Sequence, residues 1–259
     1  GITGIISKDN ITPAQSSTVL RMNQALTHRG PNDEGHFTAP QVDMRMRRLS
    51  IIDLAGGGQP LHNENGTITL IANGEIYNFI ELHQELTEKG HHFNTKSDCE
   101  TIIHAYEEYG SKFLEHLRGM FAFCLHDATK KKVIIARDRL GEKPLYLFES
   151  KDHIIFSSEM KSLLEAVPQH TRTLDPQSIF EYFLYQYVPE PKTVFKEITK
   201  LPAGHVLEID LQTFEKKIKN YWSPENSKEK TQTDPALSIR KELEHIEQIV
   251  IRSDVHVGV

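Results

Sequence analysis

The run Met120-Phe121-Ala122-Phe123-Cys124-Leu125 (MFAFCL) is apolar at every position but its sequence is too short for a long helix. Successive side chains of a strand point to opposite faces, so the run reads as a strand covered on both sides. Working outward, residues 67–72 (TITLIA), 133–136 and 154–156 are further short β-branched or aromatic runs bounded by turn residues. Helices with readable ends lie between them. Ser97-Asp98-Cys99-Glu100 has the form of a capping box, with Ile102, Ile103 and Tyr106 as an apolar stripe and Gly110 as its stop. A second helix runs through residues 79–86 towards Gly90, and two more open at Asp175-Pro176 and Asp234-Pro235, where Asp caps and Pro fits the first turn. Strands in hairpin-like succession with helices inserted predict an α+β domain of layered sheets, not alternating βαβ units.

Composition narrows the function. At 259 residues, 38% hydrophobic and 25% charged, the chain is globular, and no apolar run is long enough to span a bilayer. It shows no basic-then-apolar leader, so a cytoplasmic setting without a membrane partner is expected. A formal net charge of -6 disfavours a nucleic-acid partner, which calls for surplus Lys and Arg. Cys99 and Cys124 fit neither a disulfide framework nor paired metal-ligand spacing, and the 14 histidines form no HxxxH or HExxH pattern. No metal site is expected. Residues 223–233 (SPENSKEKTQT) read as a linker. The helix after it has Ile239, Leu243, Ile246 and Val250 on one face, and the alternation Val255, Val257, Val259 reads as a strand with a continuation.

Three polar clusters lie in turns: residues 29–35 (RGPNDEG), 47–53 (RRLSIID) and 73–78 (NGEIYN). Each has a plain structural explanation. Asn73-Gly74 is the commonest tight hairpin signal, Asp98 suits the first turn of a helix, and Arg48 can pair with Asp53 or face water. Gly56-Gly57-Gly58 lacks the spacing of a phosphate cradle and reads as a loop.

Taken together, the segments resemble in order and spacing the glutaminase domain of class II (N-terminal nucleophile) amidotransferases. The resemblance rests on residues 1–6 (GITGII), 28–35 (HRGPNDEG), 48–54 (RLSIIDL), 58–61 (GQPL), 73–78 (NGEIYN), 97–100 (SDCE), 117–123 (LRGMFAF), 136–146 (ARDRLGEKPLY) and 157–163 (SSEMKSL). The later LPAGH at 201–205, Tyr221-Trp222 and the final RSDVHVGV are similar to asparagine synthetases. That resemblance implies a four-layer αββα sandwich of two antiparallel sheets. It implies a glutaminase domain over residues 1–207, a connecting segment and linker over 208–233, and over 234–259 the truncated start of an α/β synthetase domain of ATP-pyrophosphatase type.

For chemistry, the resemblance implies that glutamine is cleaved by an N-terminal cysteine whose own α-amino group is the base. Asn73 and Gly74 would form the oxyanion hole, Arg48 would take the α-carboxylate, and Glu75 and Asp98 the α-ammonium. Leu49, Ser50, Ile51 and Ile52 would line the pocket beside the Arg29 turn. ATP and Mg2+ would serve the missing synthetase domain, amidating aspartate or another carboxylate, and the family leaves room for a homodimer. A degenerate glutaminase kept as a structural module is the reading from another class. The family's Cys belongs immediately before Gly1, and its SGGxDS loop would follow Val259. Met46, Asn32 and His256 are smaller departures, and Cys99 and Cys124 read as inert buried thiols.

Overall fold

The structure, a computed structural model, describes residues 1–49, 52–53, 56–226 and 234–254. In chain order its strands are β1 (Ile2–Ser7), β2 (Asp33–Ala39), β3 (Val42–Arg48), β4 (Leu61–His62), β5 (Ile68–Ile76), β6 (Gly119–Asp127), β7 (Lys132–Arg137), β8 (Tyr146–Glu149), β9 (His153–Ser157), β10 (Ile198–Lys200), β11 (His205–Asp210) and β12 (Lys216–Asn220). The helices are α1 (Pro13–Gln24), α2 (Phe79–Glu88), α3 (Glu100–Tyr109), α4 (Phe113–His116), α5 (Met160–Leu163), α6 (Pro176–Tyr185) and α7 (Pro235–Val250).

The strands form two six-stranded sheets, ordered β10-β8-β9-β1-β3-β2 and β12-β11-β7-β6-β5-β4. All their pairings are antiparallel. The period of two along each strand decides what covers each face. On β6, Ala122 and Cys124 enter a cluster shared with Ile2, Ile6, Met44 and Phe156 of the other sheet. Phe121, Phe123 and Leu125 enter a second cluster with Leu82 and Leu86 of α2, Ile102 and Ile103 of α3, and Phe113 of α4. The MFAFCL run is thus buried on both faces, as its composition predicts. On the far side of the first sheet, Ile5 and Ile155 pack against Val19 and Met22 of α1 and Leu163 of α5. The order is helix, sheet, sheet, helix, which is the α+β sandwich expected from the sequence.

Two local expectations are overturned. Asn73-Gly74 makes no hairpin: both residues lie inside β5, opposite Ala122 and Phe121 of β6. Glycine stands there because a Cβ at position 74 would sit 2.1 Å from Met120 O, so the close approach of the neighbouring strand excludes any side chain. The capping box at Ser97 does not form either. α3 has Cys99 at its N-cap with no side-chain bond, and the Glu100 carboxylate instead accepts from Asn94 N at 2.7 Å and Thr95 N at 2.8 Å. The Ser97 amide donates to Thr95 Oγ1 at 3.1 Å, so a tighter turn upstream has taken the groups the box would use.

Other helix starts form as read. Asp175 and Asp234 accept from the amides of Ser178 at 3.3 Å and Leu237 at 3.1 Å. The stripe of Ile239, Leu243, Ile246 and Val250 on α7 is exposed, and Ile249 is the residue that turns inward. β11 crosses the boundary expected at residue 207 and pairs with β12, so the second sheet runs on to Asn220. Residues 227–233 of the expected linker and the expected strand at 255–259 lie outside the described residues. Among the described residues, no helix is long and apolar enough to cross a membrane.

Because Phe123 is fully buried between β6 and the helical layer, Phe123→Ala is expected to cost about 3–5 kcal/mol. Urea unfolding at constant slope measures it. A loss under about 1 kcal/mol would contradict this packing.

Candidate active site

Period-two alternation places the candidate residues face to face. Met44 and Met46 of β3 point between the sheets, and Arg48 shares their phase; Ile71 of β5 does likewise, and Asn73 and Glu75 share its phase. Beyond the apolar core between the sheets, these side chains border a cleft of about 170 Å³. Arg48, Leu49, Ile52, Asn73, Gly74, Glu75 and Asp98 all line it. Ser50 and Ile51 lie outside the described residues.

Each polar group is held by identifiable contacts. Arg48 Nη2 donates to Ile52 O at 2.8 Å and to Asp53 O at 2.7 Å, so it meets the backbone of the following loop and not the Asp53 carboxylate. That carboxylate accepts from Gly56 N at 2.9 Å and Lys96 N at 3.0 Å, tying the loop to the segment before α3. Asp98 Oδ2 accepts from Ile76 N at 2.7 Å, which fixes Asp98 against the end of β5.

The edge of β5 supplies donors. Alternation turns the amides of Ala72, Gly74 and Ile76 to one side, away from β6. Ala72 N donates to Gln59 Oε1 at 2.6 Å and Ile76 N to Asp98, which leaves the Gly74 amide between them on the cleft side. Asn73 Nδ2 is buried with no hydrogen-bond partner. A buried amide donor without an acceptor is costly, and its persistence in a cleft wall points to a ligand oxygen.

Charge follows from burial. Burial raises the Asp98 carboxyl from 3.8 to about 6, and Glu75 nearby adds to the rise while the amides of Ile76 and Cys99 oppose it. Glu75 is itself raised by burial, with Lys143 opposing. Two acids that share a cleft and resist ionising favour a cation between them. Cys99 also borders the cleft, but burial, then Asp98, pushes its thiol well above its ordinary value, so it stays protonated and inert.

Sequence reasoning did not assign Gln59 or Lys143, which also line the cleft together with Arg29. The signal lay in motifs already quoted, at 58–61 and 136–146. Asp138, buried, accepts from Phe121 N at 3.2 Å, Leu140 N at 3.1 Å, Glu142 N at 2.9 Å and Lys143 N at 3.0 Å. Arg137 donates to Lys143 O at 2.8 Å and Leu201 O at 2.7 Å. This clasp presents Lys143 to the cleft. Similarly, His28 and Arg29 meet Glu159 at 2.8 and 3.1 Å, joining two of the motifs.

The start of β1 reaches the same region. Gly1 N donates to Arg47 O at 2.7 Å and Arg47 N donates to Gly1 O at 2.8 Å, continuing the β1–β3 ladder.

Over residues 1–222 the chain matches the family model described as a glutamine amidotransferase domain. It is 38% identical over 265 residues to asparagine synthetase (glutamine-hydrolyzing) 1 of Bacillus subtilis (strain 168), an alignment covering 100% of this chain and 41% of that protein. It is 41% identical over 233 residues to asparagine synthetase (glutamine-hydrolyzing) 2 of the same organism, covering 86% of this chain and 30% of that protein. The chain thus spans less than half the length of these relatives. Among solved structures it is similar to the glutamine phosphoribosylpyrophosphate amidotransferase of B. subtilis, with a TM-score of 0.60 and 18% identity over 85% of this chain and 49% of that one. At that identity the likeness bears on the fold alone.

The acid pair sets a pH dependence. Below about 6 Asp98 takes up a proton and loses the charge that would hold a ligand ammonium. Affinity for a free α-amino acid, measured by calorimetry, is expected to fall as pH drops through that value, by up to about tenfold per unit. Asp98→Asn is expected to bind weakly and to flatten the profile. An affinity of the unaltered protein that stays level through this range contradicts the assignment.

Proposed function

The chain belongs to the glutamine amidotransferase domain family, and we propose that its cleft binds L-glutamine and hydrolyses the side-chain amide to glutamate and ammonia. The observation that carries this reading is the buried, unpartnered Asn73 Nδ2 beside the outward amide of Gly74. Two such donors suit the oxygen of a tetrahedral intermediate, whose charge appears only as the amide carbon is attacked. Arg48 takes the α-carboxylate with its guanidinium, already oriented by the carbonyls of Ile52 and Asp53. Glu75 and Asp98 take the α-ammonium, and its positive charge draws both acids into their ionised form. Leu49 and Ile52, with Ser50 and Ile51, complete the wall around the substrate.

The nucleophile is assigned to a cysteine immediately before Gly1. Support comes from strand phase: Ile2 and Ile6 point between the sheets, and a residue one step before Gly1 shares that phase and faces the cleft. The α-amino group takes the thiol proton, the thiolate bonds to the amide carbon, and the resulting oxyanion is held by Asn73 and Gly74. Return of the proton to nitrogen expels ammonia and leaves a thioester. Water then adds to the thioester, the thiol leaves, and glutamate is freed.

Within the whole protein, we assign the ammonia to ATP-dependent amidation of aspartate to asparagine, from the similarity to the two glutamine-hydrolyzing asparagine synthetases of Bacillus subtilis. ATP and Mg2+ are assigned to no described residue. The glycine loop does not fit a phosphate, because Gly56 N and Gly57 N already donate to Asp53 Oδ1 at 2.9 Å and Asp53 O at 3.0 Å. Two buried free cysteines accord with a reducing, cytoplasmic setting.

Glutamate release by protein carrying its native residue before Gly1 is the test. Asn73→Ala is expected to lower kcat by about 10²–10³ with KM little changed. Arg48→Lys is expected to raise KM by roughly 10–100-fold. An enzyme that releases no glutamate, or an Asn73→Ala variant of undiminished kcat, sinks the glutaminase reading. Failure of the intact protein to make asparagine from aspartate, ATP and glutamine sinks only the choice of acceptor.

A further inference from the structure

Histidine spacing along the chain suggests no metal pattern, yet the fold gathers Glu64, His91, His104 and Glu107 so that one ligand atom of each lies within 4.8 Å of the others. They come from three places: Glu64 from the turn between β4 and β5, His91 from the segment joining α2 to α3, and His104 and Glu107 from one face of α3. We propose that these four side chains form a closed, four-coordinate site for a divalent transition-metal ion of the zinc class, away from the glutamine cleft.

The distances suit such an ion. His104 Nδ1 lies 3.2 Å from Glu107 Oε2 and 3.7 Å from Glu64 Oε1, and His91 Nδ1 lies 3.8 Å from Glu107 Oε2. Tetrahedral zinc with ligands at about 2.0–2.1 Å separates neighbouring ligand atoms by about 3.3 Å, so modest closure around the ion completes the site. Two imidazoles and two carboxylates give a neutral site with a dication, and four protein ligands leave no open position. The role is therefore structural.

The outer contacts supply a second, independent observation. A metal-bound imidazole characteristically turns its other nitrogen to a carboxylate. Both histidines face one, His91 within hydrogen-bond distance and His104 just beyond it. His104 Nε2 lies 3.6 Å from Glu100 Oε1 and His91 Nε2 lies 3.4 Å from Glu108 Oε2, each with Nδ1 turned towards Glu107. The carboxylate ligands are braced as well: Glu107 Oε1 accepts from Asn63 Nδ2 at 2.7 Å and Glu64 Oε1 from His92 N at 2.9 Å. Glu100 is in turn fixed by the amides of Asn94 and Thr95. Phe93 packs edge-on against the His104 ring at 4.4 Å, walling the site on its inner side. An ion here joins α3 to two loops of the outer layer at the point where no strand ladder connects them.

The test uses the purified protein stripped with a chelator and titrated with Zn2+, and with Co2+ for its absorption spectrum. One equivalent of Zn2+ is expected to bind, with a thermal midpoint that rises with free Zn2+, and Co2+ is expected to show the intense ligand-field band of a four-coordinate site. His91→Ala and Glu64→Gln act at partly exposed positions where folding is not at stake, and each is expected to abolish the stoichiometric site. Glu100→Gln is expected to keep the stoichiometry and weaken affinity about 10–100-fold. Absence of a stoichiometric equivalent overturns the proposal, because the carboxylates then hold only a protonated imidazole. Binding that is unchanged in His91→Ala and Glu64→Gln also overturns it, because the ion then sits on other residues.

Discussion

The ladder between β5 and β6 is the constraint on which the rest depends. It runs through nine consecutive pairs, from Ile68 opposite Asp127 to Ile76 opposite Gly119. At its cleft end the strands approach so closely that a Cβ on Gly74 would lie 2.1 Å from Met120 O, and one on Gly119 would lie 2.1 Å from Glu75 O. Outward-facing amides at that end do not meet further strands. Ile76 N is taken by Asp98 and Phe121 N by Asp138, two buried carboxylates that close the ladder on either side. Charge-assisted bonds of this kind are stronger than neutral ones and costly to leave unmade. One carboxylate becomes part of the cleft, and the other shapes the loop that brings Lys143 to it.

Burial on both faces of β6 then fixes where a site is able to form. Between the sheets, apolar side chains fill the space from Ile6 and Val42 up to Met46. Past that point the same strand phases carry Arg48, Asn73 and Glu75, so the core gives way to polar groups within two residues, from Met46 to Arg48 and from Ile71 to Asn73. Polar groups placed by strands do not reorganise when charge develops, which is the condition for electrostatic stabilisation of a transition state. The cost is visible in the cleft itself, where Asp98 and Glu75 resist ionisation and Asn73 Nδ2 has no partner. A zwitterionic amino acid with a side-chain carbonyl answers all three.

Much of this was legible in the sequence. The doubly apolar MFAFCL run announced a strand between layers, and Asp175-Pro176 and Asp234-Pro235 announced helix starts that form. Asn73-Gly74 misled because turn statistics describe glycine's freedom of φ, while here glycine answers a neighbouring backbone atom that only the register brings near. The Ser97–Glu100 box misled for a related reason: Thr95, two residues upstream, competes for the same amide. In both cases a long-range or adjacent contact outweighed a local preference. The cleft residues were assembled by resemblance, since no spacing along the chain tells that positions 48, 73–75 and 98 meet. Lys143 and Gln59 sat in quoted motifs without a role, and the Glu64–His91–His104–Glu107 cluster left no mark in the chain because its four members come from three elements.

The central claim is that the cleft holds a free amino acid with its carboxylate on Arg48, its ammonium between Glu75 and Asp98, and its side-chain carbonyl towards Asn73 and Gly74. A crystal structure with L-glutamine, in protein whose residue before Gly1 is alanine so that turnover is blocked, tests it most directly. The account predicts that orientation, with the amide oxygen within hydrogen-bond distance of Asn73 Nδ2. Density for glutamine outside this cleft, or inside it with the ammonium turned towards Arg29 and Lys143, would contradict it.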